Sequence, residues 1–303
     1  MADKRKVVPI ADETLALFDA AREMTDHQKL DRPLSVPGLR IGTSAFTAAG
    51  WPGSFYPPEL KPRDYLAYYA SKFNTVEVDS TFYRAPTAST VNGWYEKTPS
   101  DFVFAAKVPQ IITHEKVLLD CEKEFEEFVD TMDLLDDKLG PLLLQFPYFK
   151  ETDFSQTDFL TRLRFFLKRL EGTTVRYAIE IRNKTWLDQR FADLLREHKV
   201  ALVLQDQGWM PRPNQLKFDY ITTDFAYVRL LGDRKGIEKQ TKVWDKAIVD
   251  RSKELRSWVS VCKETVRRGT PTYVYVNNHY AGHAPATVAQ FIALWNQNNR
   301  EPI

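Results

Sequence analysis

Residues 177–183 read YAIEIRN, and their alternating pattern is the strongest indication of the fold. Its two isoleucines alternate with Glu180 and Arg182, so one side of the segment is aliphatic and the other is charged. Side chains of a β-strand point alternately to opposite faces. The pattern therefore predicts a strand whose aliphatic side packs against covering helices and whose charged side faces an interior.

Two further segments repeat this pattern. Residues 76–83 read VEVDSTFY, and residues 226–232 read AYVRLLG. Glu77 and Asp79 alternate with valines in the first segment, and Arg229 lies between two aliphatic residues in the second. In all three segments the charged residues collect toward the C-terminal end. A (β/α) barrel builds its active site from residues at the carboxyl ends of its strands, so these charges predict the position of a site.

The rest of the chain alternates between short apolar runs and segments with helical periodicity. The predicted strands cover residues 39–46, 75–83, 102–108, 141–146, 177–182, 200–205, 225–231 and 273–277. Helices with an apolar face are predicted between most of them, including a long helix over residues 244–268. Eight strands with intervening helices predict an α/β fold of the TIM-type (β/α) barrel class. A doubly wound open sheet is the alternative, but no glycine-rich fingerprint follows the first strand.

Two parts of the chain depart from the repeat. Residues 208–224 contain two prolines and no helical period, which predicts an irregular sixth crossover. Residues 1–36 contain one amphipathic pattern, over residues 14–24, followed by a proline-containing linker. We therefore expect an N-terminal helical extension over residues 1–36 and a barrel domain over residues 37–303.

Composition narrows the class of protein. The formal net charge is +1, which gives no electrostatic reason to expect nucleic acid or an anionic membrane as a partner. No apolar stretch approaches the ~18 residues of a membrane span, and no signal-peptide pattern is present at the N-terminus. The two cysteines lack metal-type or redox-type spacing. We expect a cytoplasmic protein without a cofactor; nothing in the sequence indicates a protein partner.

Seven motifs occur in a fixed order along the chain. They are IGTSAF, VEVDSTFYRAPT, FAAKVPQIITH, LLLQFP, AIEIRNKTW, FAYVRLLGDR and YVYVNNHYAGHAPAT. This series resembles the YecE-like family, a domain of unknown function, from about residue 39 to residue 295. The resemblance implies a TIM barrel and implies no established reaction. One departure is visible: many relatives place a histidine before the glycine that ends strand seven, whereas this chain has Leu231 before Gly232.

The alternation of side chains predicts a polar interior set near the carboxyl ends of the strands. Its members are Ser44, Asp79, Thr81, Lys107, Gln145, Glu180, Arg182, Arg229 and one of Asn277 or Asn278. Buried charges persist only when they are paired or hydrogen-bonded, so these groups could form a structural ion-pair network that fills a packed barrel. They could instead line a polar pocket, which we favour because of their position at the strand ends. Glu77 lies deeper and is expected to be structural.

The charged members of this set suggest acid/base chemistry. Glu180 or Asp79 is the predicted general acid or base. Lys107 is a candidate electrophile or Schiff-base amine if burial lowers its pKa, and otherwise an ion-pair partner. Arg182 is expected to hold Glu180 ionised or to clamp a substrate carboxylate or phosphate, with Arg229 as a second cation.

Loop residues complete the predicted binding site. Residues 277–287 end strand eight and open the last helix, where helix N-termini attract anions and Gly282 would let a ligand approach the backbone. Tyr83 and Trp186 are candidate aromatic rim residues. The predicted substrate-binding set is therefore Arg182, Arg229, Gln145, Ser44, Tyr83, Trp186, Asn277, Asn278, Gly282 and His283. The histidines of the mouth lack ligand spacing, so no metal site is predicted.

These residues predict a metal-free enzyme that acts on a small polar or anionic metabolite containing a sugar or a phosphate. Hydrolysis and isomerisation are both compatible with a pair of carboxylates. Two alternatives stay open at this point. One is a non-catalytic barrel that binds a ligand or a protein, and the other is a metal-dependent hydrolase or isomerase.

Overall fold

The computed structural model describes residues 36–297. Within them, eight parallel strands form one sheet in the order β1-β8-β7-β6-β5-β4-β3-β2. The strands are β1 Leu39–Thr43, β2 Thr75–Val78, β3 Val103–Lys107, β4 Leu139–Gln145, β5 Tyr177–Glu180, β6 Ala201–Asp206, β7 Ala226–Leu230 and β8 Thr272–Val276. The strands form a nearly closed barrel with helices between them, which confirms the predicted TIM-type fold.

The helices cover the outside of the barrel. They are α1 Tyr65–Lys72, α2 Ala88–Glu96, α3 Glu122–Asp133, α4 Gln156–Arg169, α5 Gln189–Glu197, α6 Arg234–Glu238, α7 Ser252–Arg267 and α8 Ala284–Gln297. Local signals fix several of their starts. Ser155 and Asp158 form a capping box at α4, and the Asp188 side chain caps α5 by accepting from the Phe191 amide.

The lower part of the barrel lumen is packed with apolar and aromatic side chains. They include Val103, Ala105, Leu143, Ala178, Val203, Tyr227 and Tyr275, all of them buried. Except for Val103, each of these residues lies two positions before a polar residue, as Ala105 lies before Lys107 and Ala178 before Glu180. The period of two therefore stacks a charged layer on top of an apolar one.

The seam between β1 and β2 closes the ring, because these strands lie at the two ends of the pairing order. The Tyr69 hydroxyl from α1 bridges it: it accepts from the Thr43 amide at 2.9 Å and donates to the Thr75 carbonyl oxygen at 3.1 Å. A Cβ on Gly42 would lie 2.0 Å from that carbonyl oxygen. Glycine on β1 and a tyrosine from α1 thus replace strand-to-strand pairing at the seam.

The structure differs from the predicted elements in two places. The long helix expected over residues 244–268 begins only at Ser252. Upstream of it, the amides of Trp244 and Ile248 bind the carbonyls of Ala49 and Ala281, so tertiary contacts replace helical hydrogen bonds. The second strand is also shorter, because a 3₁₀ turn over Asp79–Phe82 follows Val78 directly.

The sixth crossover is irregular, as predicted. Its only helical turn is the 3₁₀ segment Pro213–Gln215. The predicted N-terminal helix over residues 14–24 lies outside the described residues, so the division at residue 36 stays a prediction. No helix between residues 36 and 297 has both the length and the apolar character needed to cross a membrane.

Candidate active site at the carboxyl end of the barrel

Arg229 on β7 is the centre of a charge network in the lumen. Its Nε and Nη2 donate to Glu77 Oε1, and its Nη1 donates to Glu180 Oε2 at 2.8 Å. Nη2 also lies 3.4 Å from Asp79 Oδ1. Three guanidinium nitrogens thus join carboxylates from β2, from the turn after β2 and from β5. Because all three nitrogens are occupied by protein carboxylates, Arg229 acts first as a cross-link of the barrel.

Glu77 forms the deep end of the network. It is buried, and its second oxygen accepts a hydrogen bond from the Tyr227 hydroxyl at 2.6 Å. Burial raises the pKa of Glu77, and the guanidinium of Arg229 opposes this shift. The expectation that Glu77 is structural agrees with its position.

Glu180 is fully buried between two arginines. One oxygen accepts from Arg229, and the other forms an ion pair with Arg182 Nη2. Burial alone would raise the pKa of Glu180, but the charges of Arg182 and Arg229 lower it below its ordinary value. The two arginines thus favour the ionised form of Glu180, which is one of the two roles expected for Arg182.

Asp79 and Lys107 lie where the network reaches solvent. The Asp79 side chain is 34% exposed, whereas those of Glu77 and Glu180 are 0% exposed. Lys107 Nζ lies 3.9 Å from Asp79 Oδ1 and 3.6 Å from the centre of the Phe82 ring. Burial lowers the pKa of Lys107, and the charge of Asp79 opposes this shift. These two groups form the accessible part of the predicted catalytic set.

His114 and Phe82 join the mouth, although neither was among the predicted binding residues. His114 lies in a π-helical turn, Ile111–Glu115, and its ring packs edge-on against Phe82 with 4.8 Å between centroids. Burial, together with the charges of Lys107 and Arg182, lowers the pKa of His114 to about 4. The position of His114 just after β3 was the only signal in the sequence that it could reach the mouth.

Two predicted polar residues are buried at the rim of the lumen. Gln145 donates through Nε2 to the Phe146 carbonyl, and Ser44 Oγ has no hydrogen-bond partner among the described residues. Tyr83 is 72% exposed, so its ring is open to solvent next to Phe82. All three side chains keep positions compatible with the predicted binding role.

Trp186 occupies a different place from the predicted rim. It is buried, and its ring stacks on Phe149 and Phe159 in the layer between barrel and helices. Its indole N–H donates to Glu151. The Trp186 ring, which the sequence suggested for ligand stacking, is therefore part of the aromatic packing.

The loop after β8 is engaged by protein contacts. Asn278 Oδ1 accepts from Trp51 Nε1 and from the Ala284 amide at the start of α8, and Asn277 Oδ1 accepts from the amide of His279. At the helix N-terminus, where the sequence predicted anion binding, the Ala284 amide is therefore already bonded to Asn278.

Gly282 and His283 in this loop are also packed against protein. Gly282 has φ of 111°, and a Cβ there would lie 2.7 Å from the Lys246 carbonyl oxygen, so its close neighbour is the chain itself. His283 is buried; its Nδ1 accepts from the Ala286 amide, and its Nε2 lies 3.4 Å from Ser54 Oγ. None of these contacts joins Gly282 or His283 to the charge network at the mouth.

Metal-ligating residues do not converge in the part of the chain that the structure describes. No group of three or more His, Cys, Asp and Glu side chains there could hold a metal ion. The carboxylates nearest the mouth face Lys107, Arg182 and Arg229 instead.

The irregular crossover over residues 207–225 makes its polar contacts away from the solvent-facing end of the charge network. Arg212 pairs with Asp206, which also accepts from the Trp258 indole and the Tyr280 hydroxyl. No hydrogen bond or ion pair between described residues links this crossover to Asp79 or Lys107. The network therefore remains accessible at Asp79.

Comparison with known proteins places this architecture in a family. The model of the family described as "Protein of unknown function DUF72" matches residues 40–302. The UPF0759 protein YecE of Escherichia coli K12 is 35% identical over 118 residues, which are 39% of this chain and 41% of YecE. The UPF0759 protein YunF of Bacillus subtilis 168 is 28% identical over 163 residues, 52% of this chain and 54% of YunF. The matches thus span about half or less of these curated relatives.

Solved structures agree with the fold. A DUF72 family protein from Thermotoga maritima has a TM-score of 0.65 at 29% identity and covers 87% of this chain and 99% of its own. A DUF72 family protein from Enterococcus faecalis has a TM-score of 0.65 at 21% identity, covering 85% of this chain and 95% of its own, and supports the fold alone. The chain belongs to the YecE-like DUF72 family of TIM-barrel proteins, for which no function is established.

Proposed function

We propose that this protein is an enzyme that performs acid/base chemistry on a small polar or anionic metabolite at the carboxyl end of the barrel. One observation carries the proposal: Asp79 is 34% exposed, while Glu77 and Glu180 in the same network are fully buried. A general acid or base must reach the proton that it transfers. Asp79 therefore takes this role.

Lys107 and Glu180 support Asp79 in different ways. The Lys107 ammonium lies 3.9 Å from the Asp79 carboxylate and can stabilise negative charge that develops on a substrate. Glu180, locked between Arg182 and Arg229, fixes the positions of both guanidinium groups. In this assignment Glu180 is a positioning residue rather than the second catalytic carboxylate.

This division of roles favours proton transfer or isomerisation over glycoside hydrolysis. Glycosidases use two carboxyl groups that flank the substrate, one as acid and one as nucleophile or base. Both oxygens of Glu180 already contact arginines, and Glu77 lies deeper still. A reaction that needs one accessible carboxylate and nearby cations fits the geometry better, and it requires no metal.

A non-catalytic ligand-binding barrel is the second candidate. The observation that favours it is the complete pairing of Glu77, Glu180 and Arg229, which a structural plug would also require. It differs from the first candidate in one measurable respect: a ligand would bind at Asp79 and leave unchanged.

A metabolite screen tests the proposal. Compounds that raise the thermal stability of the protein are followed for chemical conversion by the wild type, by Asp79→Asn and by Asp130→Asn. Asp130 is an exposed carboxylate on α3, so it serves as the matched control. We expect turnover by the wild type and the control, and a loss of about 10²–10⁴-fold in Asp79→Asn. A compound that binds all three proteins without conversion would support the non-catalytic candidate, and equal turnover in all three would refute the role of Asp79.

A further inference from the structure

The Lys107 ammonium lies at the mouth of the barrel and makes no hydrogen bond to a described residue. Its side chain is 10% exposed, and its ammonium lies 3.6 Å from the centre of the Phe82 ring and 3.9 Å from Asp79 Oδ1. An ammonium carries three donors. The geometry leaves these donors for an acceptor that enters from the mouth.

Arg182 has unused donors in the same region. Its side chain is 14% exposed, and among residues 36–297 only its Nη2 has a partner, the Oε1 of Glu180. A guanidinium carries five N–H donors in a plane and can bind a carboxylate through two of them. Nε and Nη1 therefore remain for a second acceptor.

The two cations act on the same space. Lys107 ends β3 and Arg182 follows β5, so they flank Gln145 at the end of β4, the strand between them. The charges of both residues also lower the pKa of His114, whose ring lies over Phe82. A ligand at this point would meet Lys107 from one side and Arg182 from the other.

We propose that Lys107 and Arg182 together bind a carboxylate group, and that the substrate of this barrel is a small carboxylic acid. The substrate assignment rests on the proposed function; the binding of a carboxylate does not. Lys107 donates to one carboxylate oxygen, and Nε and Nη1 of Arg182 donate to the carboxylate from the other side. The reacting carbon then lies toward Asp79, which is 3.9 Å from the ammonium.

The charge count favours a carboxylate over a phosphate dianion. The network holds the acids Glu77, Asp79 and Glu180 and an equal number of cations, Lys107, Arg182 and Arg229. The exposed Arg234 at the rim is already paired with Glu238. A monoanion adds one negative charge to a balanced site. A dianion would add twice as much charge in a region of low dielectric.

Calorimetric titration tests the inference with glycolate, acetate and inorganic phosphate as probes, at constant ionic strength in chloride. We expect saturable binding of glycolate and acetate, with phosphate weaker as its dianionic form increases. Lys107→Gln and Arg182→Gln should each weaken carboxylate binding by about tenfold or more. Lys107→Arg should retain binding because it keeps the charge. Lys123→Gln is the control, since Lys123 is 84% exposed on α3 and loses the same charge.

Several outcomes would overturn the inference. Absence of saturable binding by either carboxylate would do so, as would equal binding by Lys107→Gln, Arg182→Gln and the wild type. Tighter binding of phosphate than of the carboxylates would overturn the substrate class. Circular dichroism of each variant establishes that it is folded, and Lys107→Arg gives a result if the glutamine variants do not fold.

Asp79→Asn separates this inference from the proposed function. It removes a negative charge beside Lys107, so it should bind carboxylates at least as tightly as the wild type while losing turnover. Loss of turnover without any carboxylate binding in the wild type would leave the acid/base proposal standing and refute the carboxylate site. Carboxylate binding with equal turnover in Asp79→Asn and wild type would do the reverse.

Discussion

Arg229 donates two hydrogen bonds to a single oxygen of Glu77, from Nε at 3.1 Å and from Nη2 at 2.7 Å. Arg229 belongs to β7 and Glu77 to β2, so the pair spans the lumen of the barrel. Both side chains are almost completely buried. A buried ion pair contributes little net stability compared with apolar packing, but removal of one partner leaves an uncompensated charge.

Replacement of Arg229 by Met should destabilise the protein strongly. The change leaves Glu77 and Glu180 buried without their shared cation, and we expect a loss of about 3–5 kcal/mol in the free energy of unfolding. Urea denaturation measures this loss. Arg234→Met is the control: Arg234 is 70% exposed and pairs with Glu238, so its loss should cost less than about 1 kcal/mol. Similar losses in the two variants would contradict the role of Arg229 as a cross-link.

Removal of the Tyr69 hydroxyl should weaken the β1–β2 seam. In Tyr69→Phe the buried Thr43 amide loses its acceptor, and we expect a cost of about 1–3 kcal/mol. Tyr68→Phe on the same helix is the matched control, because its hydroxyl makes no hydrogen bond among the described residues. Chemical denaturation of both variants provides the comparison. Equal stability of Tyr69→Phe and Tyr68→Phe would show that the seam does not depend on this hydroxyl.

His283 should make stability depend on pH. Burial lowers the pKa of His283 from the ordinary 6.5 to about 4, with the charge of Asp245 opposing the shift. Between these two values the unfolded chain binds a proton that the folded protein does not, so stability falls as pH decreases from 6.5 to about 4. In His283→Gln the proton uptake on unfolding in this range should decrease by about one proton. Urea midpoints of both proteins, measured across this pH range, test the prediction. If stability depended on pH equally in the wild type and in His283→Gln, His283 would not be held neutral in the folded protein.

The purified protein is expected to contain no stoichiometric transition metal. The carboxylates at the mouth already face Lys107, Arg182 and Arg229, which neutralise the charge that a cation would need. Elemental analysis of protein purified without chelator or nickel-affinity resin measures the content. About one equivalent of zinc, manganese or iron, lost on replacement of His114 or His283, would place a metal-dependent hydrolase or isomerase first.

The candidate site was only partly predictable. The alternation in residues 177–183 correctly brought Glu180 and Arg182 together, because both lie on one face of one strand segment. The place of Trp186 was not predictable, since an aromatic residue after a strand fits a rim and a core equally well. Its stacking on Phe149 and Phe159 depends on helices that pack against it. His114 shows the converse, because its place beside Phe82 follows from a π-helical turn without a sequence signature.

The amino-acid pattern was enough to predict the barrel and the end at which its charged residues gather. The alternation of side chains along a strand and the apolar face of a helix are local properties, which single segments express without reference to one another. Only the tertiary structure decided which charges pair and which remain free. Arg229 meets Glu180 across 49 positions and Glu77 across 152 positions of the chain. Such pairings depend on the curvature and closure of the sheet, which leave Asp79 partly exposed and place Lys107 3.9 Å from it.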